Sequence, residues 1–293
     1  MKFYLIVNRK KLTRKNLKII EKVETVFKEK GADYKLIRTQ YRGHDKELAG
    51  EISLYEEEKA IIALGGDGTL HDILNGIKNF ENTALGIIPL GTGNDFAKVC
   101  RLSKNAVKCA KIILNSKPKP IDYIQLDSGV RSLNAIGMGI DVDVLKRVYS
   151  GKNTKKSKYL KGLIVSLAKF QSYNFTVRYD GKEEKHYGLI AALGNGRQIG
   201  GGIKLFPKAK IDDGYLELVI VDYISKPATV FEFFKLMLGK IHKIKKATVV
   251  ETKRAEFEYC GDGDYFIQAD GELYENMPLT ASIKEGGLKF FTR

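Results

Sequence analysis

Two glycine-rich turns constrain the fold of this chain more than any other feature of its sequence. Gly65-Gly66-Asp67-Gly68-Thr69 follows the compact apolar run 59–64, and Leu90-Gly91-Thr92-Gly93-Asn94-Asp95 follows a second apolar run, 84–89. A helical pattern comes after each turn, over residues 70–77 after the first and from Phe96 after the second. Continuous apolar strands that alternate with helices predict a parallel sheet covered by helices on both faces. Open sheets of this kind bind ligands at the carboxyl ends of their strands, which is where both turns fall.

The composition of the turns is typical of an anion site. Glycine lets the backbone approach a ligand closely, and the N–H groups at the start of a helix favour a negative charge there. Asp67 and Asp95 lie among these N–H groups, and a carboxylate faces a phosphate favourably only with a cation between them, most simply Mg²⁺. Thr92 offers a hydroxyl donor, and Asn94 is a favourable helix cap. Single glycine turns are common without any ligand, but two turns that each carry an Asp favour phosphate binding.

The sequence pattern of the chain changes after about residue 121. Segments become short and β-rich, and turns such as Asp180-Gly181 and Asp270-Gly271 separate them, as in an antiparallel sandwich or barrel. Helical patterns interrupt this region over residues 158–170 and 227–238. We therefore predict two domains, with a boundary near the proline-containing segment 117–120.

Charge and cysteine content narrow the class of protein. The 293 residues carry a net charge of +15, which implies an anionic partner such as a nucleic acid, a membrane surface or a phosphorylated substrate. The three cysteines have no metal-site or disulfide spacing, and the amino-terminal segment does not resemble a signal peptide, so a cytoplasmic location is expected. No apolar run approaches the roughly 20 residues that span a bilayer.

The two turns together resemble those of the soluble bacterial diacylglycerol kinase family, which also includes sphingosine and ceramide kinases. The resemblance spans nearly the whole chain. It implies an α/β nucleotide-binding domain with an NAD kinase-like three-layer sandwich, followed by a β-sandwich domain that takes a lipid substrate. The implied domains are residues 1–121 together with a returning strand at about 285–293, and residues 122–284. The implied activity is transfer of the γ-phosphoryl group of ATP, with Mg²⁺, to the hydroxyl of diacylglycerol or a related lipid alcohol.

The resemblance also assigns site residues in the first domain. Asp67, Asp95 and Asp122 would form an acidic network around the catalytic Mg²⁺. The residues expected to contact ATP are Thr39, Gly65, Gly66, Asp67, Gly68, Thr69, Leu70, His71, Asp72, Thr92, Gly93 and Asn94. Two positions depart from the family pattern: His71-Asp72 replaces an Asn-Glu pair, and Asn8-Arg9-Lys10-Lys11 replaces a glycine-containing turn after the first strand.

Two segments of the second domain match the family as well. Lys210, Asp213 and Tyr215 resemble its structural Mg²⁺ loop, in which Asp213 would ligate through its carboxylate and the other two through backbone carbonyls. Asp270-Gly271-Glu272 resembles its catalytic turn, with Glu272 as the base that takes the acceptor's proton. An ordinary Asp-Gly hairpin turn is the alternative for both segments.

A basic stretch predicts which part of the chain would contact a lipid surface. Residues 144–179 contain no Asp or Glu, and apolar residues recur at helical spacing in 158–170, so this helix either lies on an anionic membrane or packs on its own sheet. A second basic cluster, Lys240, Lys243, Lys245 and Lys246, follows the largely apolar run 231–238. We expect transient, peripheral contact with the inner face of the membrane, and a homodimer is possible because exposed sheet edges in the family often pair.

Three other functions remain open at this point. An NAD kinase-like or other small-molecule kinase shares the first glycine turn, although the second turn speaks against it. A nucleic-acid-binding protein would explain the charge, but no recognised nucleic-acid-binding module is evident, so no nucleic acid is expected as a partner. A catalytically inactive lipid sensor is disfavoured because all candidate acidic residues are present.

Overall fold

The computed structural model describes residues 1–150, 170, 172–225, 228–229, 232, 235–236 and 238–293, with the backbone alone for 147–150. The chain divides into two compact units. Unit 1 comprises Met1–Asp122 and Gly286–Arg293, and unit 2 comprises Tyr123–Glu285. The predicted helices over 158–170 and 227–238, and most of the basic stretch that was expected to meet a membrane, lie outside the described residues apart from a few positions.

Unit 1 is built on a parallel sheet. Its strands are β1 (Lys2–Val7), β2 (Tyr34–Arg38), β3 (Lys59–Gly65) and β4 (Thr83–Pro89), together with the end of β15 (Leu279–Phe290). Their order in the sheet is β15–β4–β3–β1–β2, and every pair is parallel. Every residue of β3 and β4 is buried, because helices cover both faces of such a sheet.

The helices of unit 1 form two packed groups. They are α1 (Arg14–Glu29), α2 (His44–Ser53), α3 (Asp67–Gly76), α4 (Asp95–Val99) and α5 (Ala106–Asn115). Helix α1 packs against α5, and α2 packs against α3. Thr13 starts α1 by accepting a hydrogen bond from the N–H of Asn16 on its side chain, and Ile20, Val23 and Phe27 form the buried stripe of that helix.

Unit 2 is built mainly from antiparallel strand pairs. Its strands are β5 (Lys119–Leu126, entered from unit 1), β6 (Arg131–Ser132), β7 (Ala135–Gly139), β8 (Tyr173–Tyr179), β9 (Lys182–Gly194), β10 (Leu216–Asp222), β11 (Ala247–Thr252), β12 (Arg254–Tyr259), β13 (Phe266–Ala269), β14 (Glu272–Glu275) and the start of β15. Helix α6 (Ile140–Ser150) follows β7. The order runs β14–β13–β7–β9–β8–β12–β15, and β10 pairs with both β9 and β11.

Two large apolar clusters, and a small one formed by Val144 and Ile203, lie in the interior of the described part of unit 2. One includes Phe175, Val177, Leu193 and Phe257, and the other includes Ile190, Phe206, Val219 and Ile241. Residues 190–193 of β9 contribute alternately to the two large clusters, as the two-residue period of a strand requires. The predicted α/β unit and the predicted β-rich unit are therefore both present.

Helix α3 begins earlier than the apolar pattern suggested. The pattern predicted a helix from residue 70, whereas α3 begins at Asp67 directly after Gly66, whose backbone is extended. The N–H of Leu70 donates to the carbonyl of Gly66 and closes the first turn of the helix. Asp67 and Gly68 thus belong to the first helical turn, Gly66 is its N-cap and Gly65 ends β3, which the spacing of apolar residues does not reveal.

Candidate phosphate-binding and catalytic site

The two glycine turns are joined by backbone contacts. The N–H groups of Leu90 and Gly91 both donate to the carbonyl of Gly65, at 2.7 and 3.0 Å. A Cβ atom on Gly91 would lie 2.7 Å from the Cα of Gly66. Glycine is required here because the backbones of the two turns touch and leave no space for a side chain.

The Asp67 carboxylate links the first turn to the helix of the second. Its Oδ2 accepts from the N–H of Asp95 at 3.1 Å and its Oδ1 from the N–H of Phe96 at 3.2 Å. Asp67 therefore satisfies two N–H groups at the start of α4, where helices leave such groups unpaired. The interpretation of the Asn94 side chain as the cap is wrong, because in its left-handed backbone conformation (φ 50°) its amide instead donates to the carbonyl of Gly91 at 2.7 Å.

Asp67 and Asp95 bring two carboxylates to one point. A Cβ on Gly93 would lie 3.1 Å from Asp67 Oδ2 and 3.9 Å from Asp95 Oδ2. Asp95 is buried and pairs with the Nζ of Lys98 at 2.8 Å. Carboxylate oxygens fit Mg²⁺, which proteins usually hold through one or two carboxylates together with substrate phosphates. Within the part of the chain that the structure describes, no three His, Cys, Asp or Glu side chains form a metal-binding group.

Asp122 is fixed by the returning end of the chain. It is buried, and its Oδ1 accepts from the N–H of Gly286 at 2.7 Å. This bond connects the two chain segments that make up unit 1. The placement of Asp122 beside Asp67 and Asp95 stays a prediction.

The remaining predicted nucleotide contacts follow the carboxyl ends of β2, β3 and β4. Thr39 is buried, and its Oγ1 accepts from the N–H of Arg9 at 2.9 Å. His71 is also buried, and its Nε2 lies 3.3 Å from the amide nitrogen of Asn75. Thr92 is exposed. The segment Arg9–Lys11, where the family has a glycine turn, is one turn of 3₁₀-helix started by the Asn8 side chain, which accepts from the N–H of Lys10. A role for each of these residues in binding ATP stays a prediction.

In unit 2, the predicted structural Mg²⁺ loop is a tight turn around one carboxylate. Asp213 Oδ1 accepts from the N–H of Tyr215 at 3.2 Å, and its Oδ2 lies 3.7 Å from the Nζ of Lys210. Glu217, which the sequence did not single out, supports this loop. Its Oε2 accepts from the N–H groups of Lys208 and Ala209, both at 2.8 Å, and its buried Oε1 has no hydrogen-bond partner among the described residues.

The predicted base, Glu272, is the first residue of β14. It is partly buried and pairs with Ala269 of β13 across the Asp270-Gly271 turn. Both turn residues have positive φ, 51° and 91°, as a two-residue hairpin turn requires. The hairpin and the catalytic interpretations of this segment are therefore compatible.

Sequence analysis also missed a buried acidic residue in unit 2. Asp141 lies in the first turn of α6, and neither of its buried oxygens has a hydrogen-bond partner in the described part of the chain. Burial raises the pKa of Asp141 from 3.8 to about 6, and the nearby N–H of Val142 and side chain of Gln268 oppose this rise without reaching hydrogen-bond geometry. The hydroxyl of Tyr173 is likewise buried without a partner among these residues, and burial, followed by the Asp141 charge, raises the pKa of Tyr173 well above its ordinary value. The sequence around Asp141 and Tyr173 shows only an apolar pattern. The burial of these two polar groups is therefore visible only in the folded structure.

Comparison with known proteins identifies the family. The diacylglycerol kinase catalytic domain matches residues 2–126, and the YegS C-terminal NAD kinase beta sandwich-like domain matches residues 134–292. A Chromohalobacter salexigens protein named probable lipid kinase YegS-like is 33% identical over 225 residues, which cover 73% of this chain and 70% of the relative. The chain belongs to the diacylglycerol kinase family. It is accordingly a kinase, and the sequence-based assignment is confirmed.

A second relative and two solved structures are also similar to this chain, and the structures bear on its fold. A Staphylococcus aureus diacylglycerol kinase is 27% identical over 80% of this chain and 74% of its own length. A crystal structure of a diacylglycerol kinase from Bacillus anthracis, 22% identical, covers 100% of this chain and 97% of that chain with a TM-score of 0.75. An Archaeoglobus fulgidus NAD kinase in complex with ATP, 14% identical, covers 100% and 94% with a TM-score of 0.53. The predicted NAD kinase-like fold with a β-sandwich domain is thus confirmed.

The search for membrane-spanning segments gave a negative result for the described residues, since none of their helices combines the length and apolar character needed to cross a bilayer.

We predict that Asp67→Ala destabilises the linked turns. The N–H groups of Asp95 and Phe96 would lose their acceptor, and loss of a helix cap costs about 1–2 kcal/mol. The measurement is urea unfolding of the two proteins at pH 7.5. Asp33→Ala, which removes an exposed carboxylate from the same unit, is the matched control and should leave the free energy of unfolding within about 0.5 kcal/mol. Equal stability of Asp67→Ala and the wild type would contradict the capping role.

We predict that Asp141→Asn stabilises the protein at neutral pH. Because the folded pKa of about 6 lies above the ordinary value of 3.8, the folded state binds the proton more tightly. The cost of ionising Asp141 is therefore absent near pH 4 and complete above pH 6, where the variant should gain about 2–3 kcal/mol. Unfolding measured between pH 4.5 and 8 tests this. Asp143→Asn on the same helix is the control, and an equal gain in that variant would contradict the prediction.

Proposed function

We propose that this chain is an ATP- and Mg²⁺-dependent lipid kinase that phosphorylates the hydroxyl of diacylglycerol or a related lipid alcohol. The supporting observation is the junction of the two glycine turns, where backbone N–H groups, a helix start and the carboxylates of Asp67 and Asp95 converge. Such a junction suits the polyphosphate of a nucleotide. The family is one of kinases, and an NAD kinase of similar fold is known in complex with ATP.

Each group has a defined part in the proposed transfer. Backbone N–H groups of residues 66–69 and 92–93 would hold the phosphate oxygens, and Asp67 and Asp95 would hold Mg²⁺, which neutralises charge on the transferred phosphoryl group. Glu272 would accept the proton of the acceptor hydroxyl while the hydroxyl oxygen forms a bond to the γ-phosphorus. The bond between that phosphorus and the β,γ-bridging oxygen would break, and ADP would leave. The products would be ADP and a lipid phosphate such as phosphatidic acid.

The acceptor assignment rests on relatives and on unit 2. The relatives carry the names diacylglycerol kinase and lipid kinase. Asp141 and Tyr173 provide unit 2 with two polar groups that lack hydrogen-bond partners among the described residues. A buried polar group without a partner costs stability and is a candidate contact for a polar ligand. We propose that these two groups bind the polar head group of the acceptor.

Radiolabelled ATP incubated with a panel of acceptors tests the assignment. We expect label in the organic phase with diacylglycerol or another lipid alcohol, a loss of kcat of at least about 100-fold in Glu272→Gln, and a higher KM for the lipid with little change in kcat in Asp141→Asn. The control variant is Asp127→Asn, which removes an exposed ion pair with Arg254 in unit 2.

Two outcomes of that experiment would reject the proposal. Labelling of NAD or a sugar with no lipid labelled would replace it with a small-molecule kinase. Full activity of Glu272→Gln would place the base elsewhere.

An anionic membrane surface is the proposed site of the reaction, on the inner face of the cytoplasmic membrane. The second basic cluster supports it. Ile241 and Ile244 are buried in unit 2, and the lysines around them at 240, 243, 245 and 246 are exposed. Buried isoleucines fix the backbone so that the lysines point to solvent as a group. Each such lysine contributes about 1 kcal/mol to binding an anionic surface.

We predict that the purified protein binds vesicles rich in phosphatidylglycerol and releases them at high salt. The double substitution Lys245→Gln/Lys246→Gln should weaken binding roughly 10- to 30-fold, as the loss of about 2 kcal/mol implies. Lys28→Gln/Lys30→Gln in unit 1 removes the same charge from another exposed position and is the matched control. Vesicle sedimentation measures both. Equal binding to neutral vesicles would reject electrostatic docking.

A further inference from the structure

Unit 2 contains two Asp-Gly hairpin turns with the same backbone conformation. Asp180-Gly181 joins β8 to β9 with φ angles of 47° and 76°, and Asp270-Gly271 joins β13 to β14 with φ angles of 51° and 91°. Positive φ at both central positions is the conformation that favours Asp-Gly in a two-residue hairpin. The backbone alone therefore accounts for the residue types in both turns.

The two aspartate side chains are held differently. Asp180 Oδ1 accepts a hydrogen bond from the Oγ1 of Thr252 at 2.9 Å. Asp270 accepts four hydrogen bonds from consecutive residues: Oδ1 from the Oγ of Ser132 at 2.6 Å and from the N–H groups of Asn134 at 2.8 Å and Ala135 at 3.2 Å, and Oδ2 from the N–H of Leu133 at 2.9 Å. The Asp180-Gly181 hairpin forms without such an arrangement. The four hydrogen bonds to Asp270 are therefore not required by the hairpin itself.

The segment that holds Asp270 is itself fixed from its other side. The N–H groups of Asn195 and Gly196 both donate to the carbonyl of Asn134, at 2.9 and 2.8 Å. The Asn195 side chain, which is fully buried, donates to the carbonyl of Leu133 at 2.8 Å, and the Asn134 amide donates to the carbonyl of Gln198 at 2.6 Å. Residues 132–135 thus form a rigid anchor for the Asp270 carboxylate.

We propose that Asp270 is the positioning residue of Glu272 and takes no proton itself. The Asp270 carboxylate accepts four hydrogen bonds, three on Oδ1 and one on Oδ2, and the Asp270 N–H donates to the carbonyl of Ala135 at 2.9 Å, so the turn is fixed at both its backbone and its side chain. Glu272 follows two residues later at the start of β14. Holding the turn to the anchor sets where the Glu272 carboxylate lies, and a displacement of about 1 Å at a reacting group lowers a rate up to about 100-fold. This inference rests on the proposed role of Glu272 as base.

The test compares the wild type with Asp270→Asn, Glu272→Gln, the double variant and Asp180→Asn, using lipid phosphorylation by ATP. Asparagine keeps the size of the side chain but offers one acceptor oxygen in place of two. We expect Asp270→Asn to lower kcat about 10- to 100-fold, with KM for ATP within twofold and with the acid limb of the pH–kcat profile unchanged in position. The double variant should be no slower than Glu272→Gln, because Asp270 acts only through Glu272. Asp180→Asn should retain the wild-type kcat.

Thermal unfolding of each variant ensures that rates are compared for folded protein. Ser132→Ala removes one donor and keeps the carboxylate, so it should lower kcat by less than Asp270→Asn does, and it carries the test alone if Asp270→Asn does not fold. If Glu272→Gln is inactive but Asp270→Asn and Ser132→Ala both keep the wild-type kcat, the positioning role is wrong and the base assignment stands. If Asp270→Asn abolishes the acid limb while Glu272→Gln remains active, Asp270 is the base and both assignments are wrong.

Discussion

The hydrogen bonds from Asp95 and Phe96 to the Asp67 carboxylate connect the parts of unit 1 on which the proposed chemistry depends. They tie the start of α3 to the start of α4, and with the bonds from Leu90 and Gly91 to Gly65 they make two separate turns into one surface. A phosphate site needs N–H groups that converge without moving when the ligand arrives, and a shared cap provides this rigidity. The same carboxylate is one of the two proposed to hold Mg²⁺, so one residue has both a structural and a proposed catalytic part.

Unit 2 also contains carboxylates with a structural part and with a proposed functional part. Asp270 accepts four hydrogen bonds from residues 132–135, a segment that Asn195 fixes in turn, and the result is a rigid turn beside Glu272. Asp141 is the opposite case, since its carboxylate is buried with no hydrogen-bond partner among the described residues and its pKa is raised to about 6. A satisfied carboxylate stabilises the fold, whereas an unsatisfied one costs stability and is usually retained for a functional reason.

The fold class was predictable because its signals are local. Uninterrupted apolar strands and the position of glycine after β3 and β4 specified a parallel sheet with its turns at the carboxyl edge, and the two turns sufficed for the family. The role of Asp67 as cap of a helix 28 residues away, the support of the Asp213 loop by Glu217, and the effect of the Asp141 charge on buried Tyr173 were not predictable. These contacts join residues distant in sequence through single polar atoms, and such contacts leave no period or spacing in the chain. Asn94 is a further example of a contact that residue type does not predict. Asparagine favours a helix cap, but in the structure the Asp67 side chain caps α4.

The central claim is that the joined turns hold the phosphates of a nucleotide. A crystal structure with Mg²⁺ and a non-hydrolysable ATP analogue tests it most directly. The account predicts phosphate oxygens within hydrogen-bond distance of the backbone N–H groups of residues 66–69 and 92–93, with the metal ion against Asp67 or Asp95. Phosphates bound at any other part of the chain, with these N–H groups facing solvent, would contradict it.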